Sequence, residues 1–128
     1  MRQYSYSLIN QVGSKTITSA TIDARQLYRI AGQVIVGAGA ATAGTLQLQY
    51  SCDPVNAVNI TPNGITGVSN WSNFGTAVTV SGAAKQSILF STLPFSDIGY
   101  AWIQAVYTDS SSGTGAGLVT VNLNFQGF

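Results

Sequence analysis

The residues that could do chemistry in this chain are few, and their types narrow that chemistry at once. Its 128 residues include no histidine and no glutamate. Without them there is no His-based activation of a nucleophile, no imidazole metal ligand and no Glu-dependent acid–base pair. The remaining carboxylates are Asp23, Asp53, Asp97 and Asp109, and the last three stand in turn-like contexts, before Pro54, Ile98-Gly99 and Ser110-Ser111-Ser112-Gly113. Aspartates so placed are expected to accept bonds from backbone N–H groups rather than to move protons. Cys52 stands alone, so no internal disulfide can form, and with no histidine as base it is expected to be a small, buried or half-buried thiol.

Three further patterns bear on chemistry. Lys15 or Lys85 could form an isopeptide bond with an asparagine, but an aspartate would have to take the assisting role usual for a carboxylate. Gly113-Thr114-Gly115-Ala116-Gly117 lacks the Gly-Lys-Ser/Thr ending of a phosphate loop and no helix follows, so a hairpin tip is the better reading. No Asp-x-Asp-x-Asp spacing marks a calcium loop. The chain therefore reads as a protein without catalytic residues, cofactor or metal.

Aromatics are the other candidate chemistry. Trp71, Phe74, Tyr100 and Trp102 could line a sugar-stacking platform, but the polar anchors of a glycan site are not marked, and core or subunit-contact roles are favoured. Charged residues make up only 7% of the chain, against about 25% in ordinary proteins. The five cations are scattered and the net charge is +1, a poor footprint for nucleic acid. Near-neutral surfaces tend to associate, which suits a molecule packed against others. No apolar run approaches the roughly 18 residues of a membrane helix, and no membrane partner is expected. The first residues lack an export signal, so production in the host cytoplasm is expected.

The elements that must position these residues read as short strands. Residues 1–128 fit one all-β domain, a single antiparallel β-sandwich, jelly-roll-like, of roughly eight strands. Strands are expected over Gln3–Ile9, Lys15–Thr21, Leu27–Val36, Thr45–Tyr50, Phe74–Val80, Gln86–Leu93, Ala101–Thr108 and Leu118–Phe125. The small-residue stretch 37–44 holds three glycines, which argues against a helix there. Val55–Asn70, punctuated by Pro62, Asn63-Gly64 and Gly67, is expected to be a long loop with at most a short strand near Val58–Thr61.

The last two strands, with their Ser/Gly connection, read as a hairpin closing the sandwich. Val119, Val121, Leu123 and Phe125 alternate with Thr120, Asn122 and Asn124. In the strand before, inward Ile103, Ala105 and Tyr107 leave Tyr100, Trp102, Gln104 and Val106 on the opposite face. That surplus of large apolar groups marks Tyr100, Trp102, Gln104 and Val106 as candidate subunit contacts. Val55, Ile60, Ile65 and Trp71 are candidate contacts from the loop.

Several segments in order, Gly44-Thr-Leu-Gln-Leu-Gln-Tyr-Ser-Cys-Asp53, Asn70-Trp71, Gly99-Tyr-Ala-Trp-Ile-Gln-Ala-Val-Tyr-Thr108, Ser112-Gly-Thr-Gly115 and the closing Val-Thr-Val-Asn-Leu strand, resemble small β-sandwich proteins of bacteriophage virions. The resemblance spans residues 27 to 125. It implies a non-enzymatic structural protein located in the virion, on the capsid or in the tail; with the low charge and missing catalytic groups, a multicopy capsid or capsid-associated subunit is expected, whose partners are copies of itself and other virion proteins. Two departures stand out: Pro54 and the long loop to Asn70 replace a tight turn, and Gln104 stands where a basic residue is frequent. A receptor- or glycan-binding module of a phage tail or fibre is the alternative.

Overall fold

The structure, a computed structural model, describes residues 2–12, 16–25, 27–36, 43–81, 86–91, 102–109 and 118–127. Strands dominate: β1 (Arg2–Val12), β2 (Thr16–Thr18), β3 (Ile22–Asp23), β4 (Leu27–Val36), β5 (Ala43–Ser51), β6 (Asn59–Thr61), β7 (Gly64–Thr66), β8 (Ser72–Ser81), β9 (Gln86–Ser91), β10 (Trp102–Asp109) and β11 (Leu118–Gly127), with one short 3-10 turn at Val55–Ala57. One sheet has the order β1-β11-β4-β9. The other runs β2-β10-β5-β8, with β3 also paired to β10. All of these pairings are antiparallel.

β2 and β3 are two pieces of one interrupted strand, because they pair successive stretches of the same neighbour: Thr16–Thr18 opposite Val106–Thr108, and Ile22–Asp23 opposite Trp102–Ile103. Ser19 bridges the break. Its backbone N–H donates to Ala105 O at 2.9 Å, and its hydroxyl oxygen accepts the Ala105 N–H at 2.8 Å in place of a ladder carbonyl. Counted this way, and leaving aside the small β6–β7 ribbon, two four-stranded sheets are connected in jelly-roll order, the chain changing sheet at every step except from β5 to β8. The expected all-β, jelly-roll-like sandwich of roughly eight strands is the observed fold.

Alternation places the core between the sheets. Val34, Val121, Leu123 and Phe125 from the first sheet meet Ile17, Ile22, Leu46, Leu48, Phe74, Ile103, Ala105 and Tyr107 from the second. Phe74 packs edge-on to Tyr50, ring centroids 6.0 Å apart. Gly44 makes room for the Tyr107 phenol: a Cβ there would overlap Tyr107 Oη and lie 2.8 Å from Tyr107 Cζ.

Three expectations are corrected here. Tyr100–Phe125 is not a hairpin within one sheet, since β10 pairs β5, β2 and β3 while β11 pairs β1 and β4. Period-2 alternation shows that each strand has a buried face but not which neighbour it bonds. The expected Lys15–Thr21 strand is shorter and is followed by the separate piece β3. Cys52 is exposed rather than buried or half-buried, because β5 ends at Ser51 and the thiol lies just past the strand, beyond the inward run Leu46, Leu48 and Tyr50. Lys15, Lys85, Asp97, the stretch 37–42 and Gly113–Gly117 lie outside the described residues.

Candidate functional site

β5 ends at Ser51 because Pro54 lacks the N–H a ladder needs and restricts the residue before it. The chain then leaves the sheet and rejoins it at Ser72, where β8 pairs back onto β5. Asp53 ties the two ends of this excursion together. Its carboxylate accepts the Ser69 N–H at 2.9 Å, the Asn70 N–H at 3.2 Å and the Asn70 side-chain amide at 2.8 Å. The Asp53 N–H in turn donates to the Ser51 hydroxyl at 3.1 Å. The Ser69 amide above all, then the Asn70 side chain, hold the carboxyl below the ordinary aspartate range, since each bond favours the charged form. The expected turn-capping role of Asp53 is present, but it reaches across the excursion rather than within a local turn.

Inside the excursion, where a loop with at most one short strand is expected, stands a small hairpin. β6 and β7 pair Asn59 with Thr66, Ile60 with Ile65 and Thr61 with Gly64. Pro62 and Asn63 form the turn, with the Thr61 hydroxyl donating to Gly64 O at 3.0 Å. Gly64 and Gly67 have φ of 133° and 91°, a region that suits glycine. The signal was present as Asn63-Gly64 between two isoleucines, a pattern that favours hairpins.

The candidate contact residues divide between these two places. Val55 and Ile60 are 46% and 47% exposed, the large apolar side chains most open to solvent among the described residues. Ile65, directly across from Ile60, and Trp71, at the end of the excursion, are half-buried. No charged residue occurs from position 54 to position 84, so this exposed apolar surface has no charge on its own stretch of chain.

On β10 the face assignment holds but the expected exposure does not. Ile103, Ala105 and Tyr107 are fully buried in the core. Trp102 points to the other face and yet is 0% exposed. Its indole N–H donates to Asp53 O at 2.9 Å, and the Arg25 guanidinium carbon lies 5.3 Å from its ring centroid. Arg25 is held by Asp23, Nη2 to Oδ2 at 2.6 Å, and this pairing lowers the Asp23 carboxyl from its usual value. Trp102 is thus no open contact residue: loop base and β3 flank cover it.

Gln104 is also buried, at 9% exposure, and Val106 is half-buried. Gln104 donates to Gln49 Oε1 at 2.8 Å, and Gln49 donates to Asn73 Oδ1 at 3.3 Å, a line of amides across three strands. Where a basic residue would leave a free charge, the neutral amide closes a cross-strand bond. The neighbouring Gln47 amide enters the bulge of β8, donating to the carbonyls of Phe74 and Gly75, each at 3.3 Å. Tyr100 lies outside the described residues.

Among the described residues the aromatic platform is not assembled. Phe74 is in the core and Trp102 is covered, while Trp71 is half-buried. The Asp53–Asn70 clamp, the Arg25 contact and the amide line were not anticipated. They join residues far apart in the chain, and no local spacing announces them.

No protein-family model matches the chain, and no curated protein does. Among solved structures, it is similar to a chain in a structure of the Gx strain of infectious bursal disease virus, with 17% identity and a TM-score of 0.44 over 97% of this chain. A chain of that virus's T13 viral particle shows 14% identity and a TM-score of 0.42 over 98%. In both cases this chain spans 31% of the other's length.

Proposed function

We propose that this protein is a non-enzymatic structural component of a bacteriophage virion, a multicopy capsid or capsid-associated subunit acting through protein–protein contacts. The observation that carries the reading is the exposed, charge-free hairpin region with Val55 and Ile60 open to solvent, held at its base by Asp53 on a jelly-roll sandwich. A clamped loop gives an apolar surface without a large ordering cost on contact. Burial yields roughly 25 cal/mol per Å², so a few hundred Å² supplies several kcal/mol before association entropy, and repeated display multiplies weak contacts. The phage assignment rests on the sequence resemblance.

The contact surface of this reading moves from the face of β10 to the hairpin, because Trp102 and Gln104 are used up within the chain. Proteomics and reconstruction of purified particles should find the protein in many copies at subunit boundaries. Its absence from purified particles would overturn the proposal. Strong, specific retention on a glycan array would favour the receptor-binding alternative instead.

A further inference from the structure

The hairpin turn holds a reactive dipeptide that the contact reading does not use. We propose that Asn63-Gly64 is a self-modification site, at which the asparagine amide converts through a cyclic imide to a carboxylate. The Gly64 backbone nitrogen attacks Asn63 Cγ; the new C–N bond forms as the Gly64 amide proton and the side-chain nitrogen depart as ammonia. Water then opens the imide at either carbonyl and leaves an aspartyl or isoaspartyl residue. One water is consumed and one ammonia released, with no redox change and no co-reactant.

The placement favours this site over its neighbours. Asn63 is exposed at the turn, outside the paired residues of β6 and β7. Gly64 presents no side chain beside the attacking nitrogen, and even a Cβ at that position would meet nothing within 4 Å. The surroundings therefore leave space for the imide ring. Asn56, Asn59, Asn70 and Asn73 precede Ala57, Ile60, Trp71 and Phe74, whose side chains shield the following nitrogen. The Asn70 amide is additionally held by Asp53.

The product would put a negative charge on a stretch that has none between positions 54 and 84, close in sequence to Ile60 and Ile65. A charge must be desolvated when an apolar contact closes over it, so conversion weakens that contact. This consequence rests on the assembly reading; the chemistry does not.

The test is long incubation of the whole folded protein in mildly alkaline buffer, followed by peptide mass mapping and enzymatic methylation of isoaspartate. Acid product should build up at position 63 well ahead of the other seven asparagines of the chain and disappear in Asn63→Gln, with unchanged thermal melting showing that the chain stayed folded. Conversion at position 63 no faster than at its neighbours would overturn the site. In a second arm, Asn63→Asp should self-associate or bind particles more weakly than the parent. Equal binding by the two would overturn the consequence for contact while leaving the modification standing.

Discussion

The outer face of β10 and the β6–β7 hairpin both read from sequence as contact surface, and they come out opposite. Trp102, the largest group on the β10 face, is completely covered, whereas Val55 and Ile60 in the excursion remain open. The same carboxylate residue links the two: the Asp53 carbonyl accepts the Trp102 N–H, while its side chain closes the base of the excursion. An apolar residue opposite the core is therefore not yet a surface residue. A long excursion can supply a second, smaller burial site on the back of a sheet.

If that contrast is right, Trp102→Ala should give the largest effect. Truncating a fully buried Trp should cost about 3 to 5 kcal/mol, read by denaturant or thermal melts of the isolated domain. A near-neutral melt would restore Trp102 as an open contact residue. Gly44→Ala tests the core side of the same sheet. Its Cβ would press on the Tyr107 ring and lie 3.0 Å from Thr108 O, at a cost of about 1 to 3 kcal/mol in the same measurement.

Asp53 should show a local effect. Because its folded-state pKa is lowered, its stabilisation is fully present above the ordinary carboxylate range and is lost as pH falls through the depressed value. Hydrogen exchange at the Ser69 and Asn70 amides should therefore speed up, relative to the core strands, as the solution is acidified toward that value. Asp53→Ala should show the faster exchange at neutral pH already. Ile60→Ser should disturb the isolated domain least, by within about 0.5 kcal/mol, because the side chain is largely open. Particle binding by this variant should fall, and undiminished binding would remove the hairpin from the contact surface.

Much of the fold was legible because alternation is a local signal. Leu46 and Leu48 in β5, and Val121, Leu123 and Phe125 in β11, all face the core as the period demands. The separation of β10 and β11 into different sheets was not legible, since the same alternation serves consecutive strands that share a sheet, as β5 and β8 do, and those that do not. Of the candidate site, Val55 and Ile60 were identified and are exposed. The covering of Trp102 depends on Arg25 and Asp53, and no periodicity joins positions so far apart in sequence.

The sequence by itself determined the all-β class, the inward faces of the strands and the scarcity of catalytic groups, since these follow from residue type and a two-residue period. Only the tertiary structure decided which strands pair, that Asp53 closes the excursion, and which of two apolar surfaces stays open. Those outcomes arise from hydrogen bonds and packing between distant segments, and exist only once the chain has brought them together.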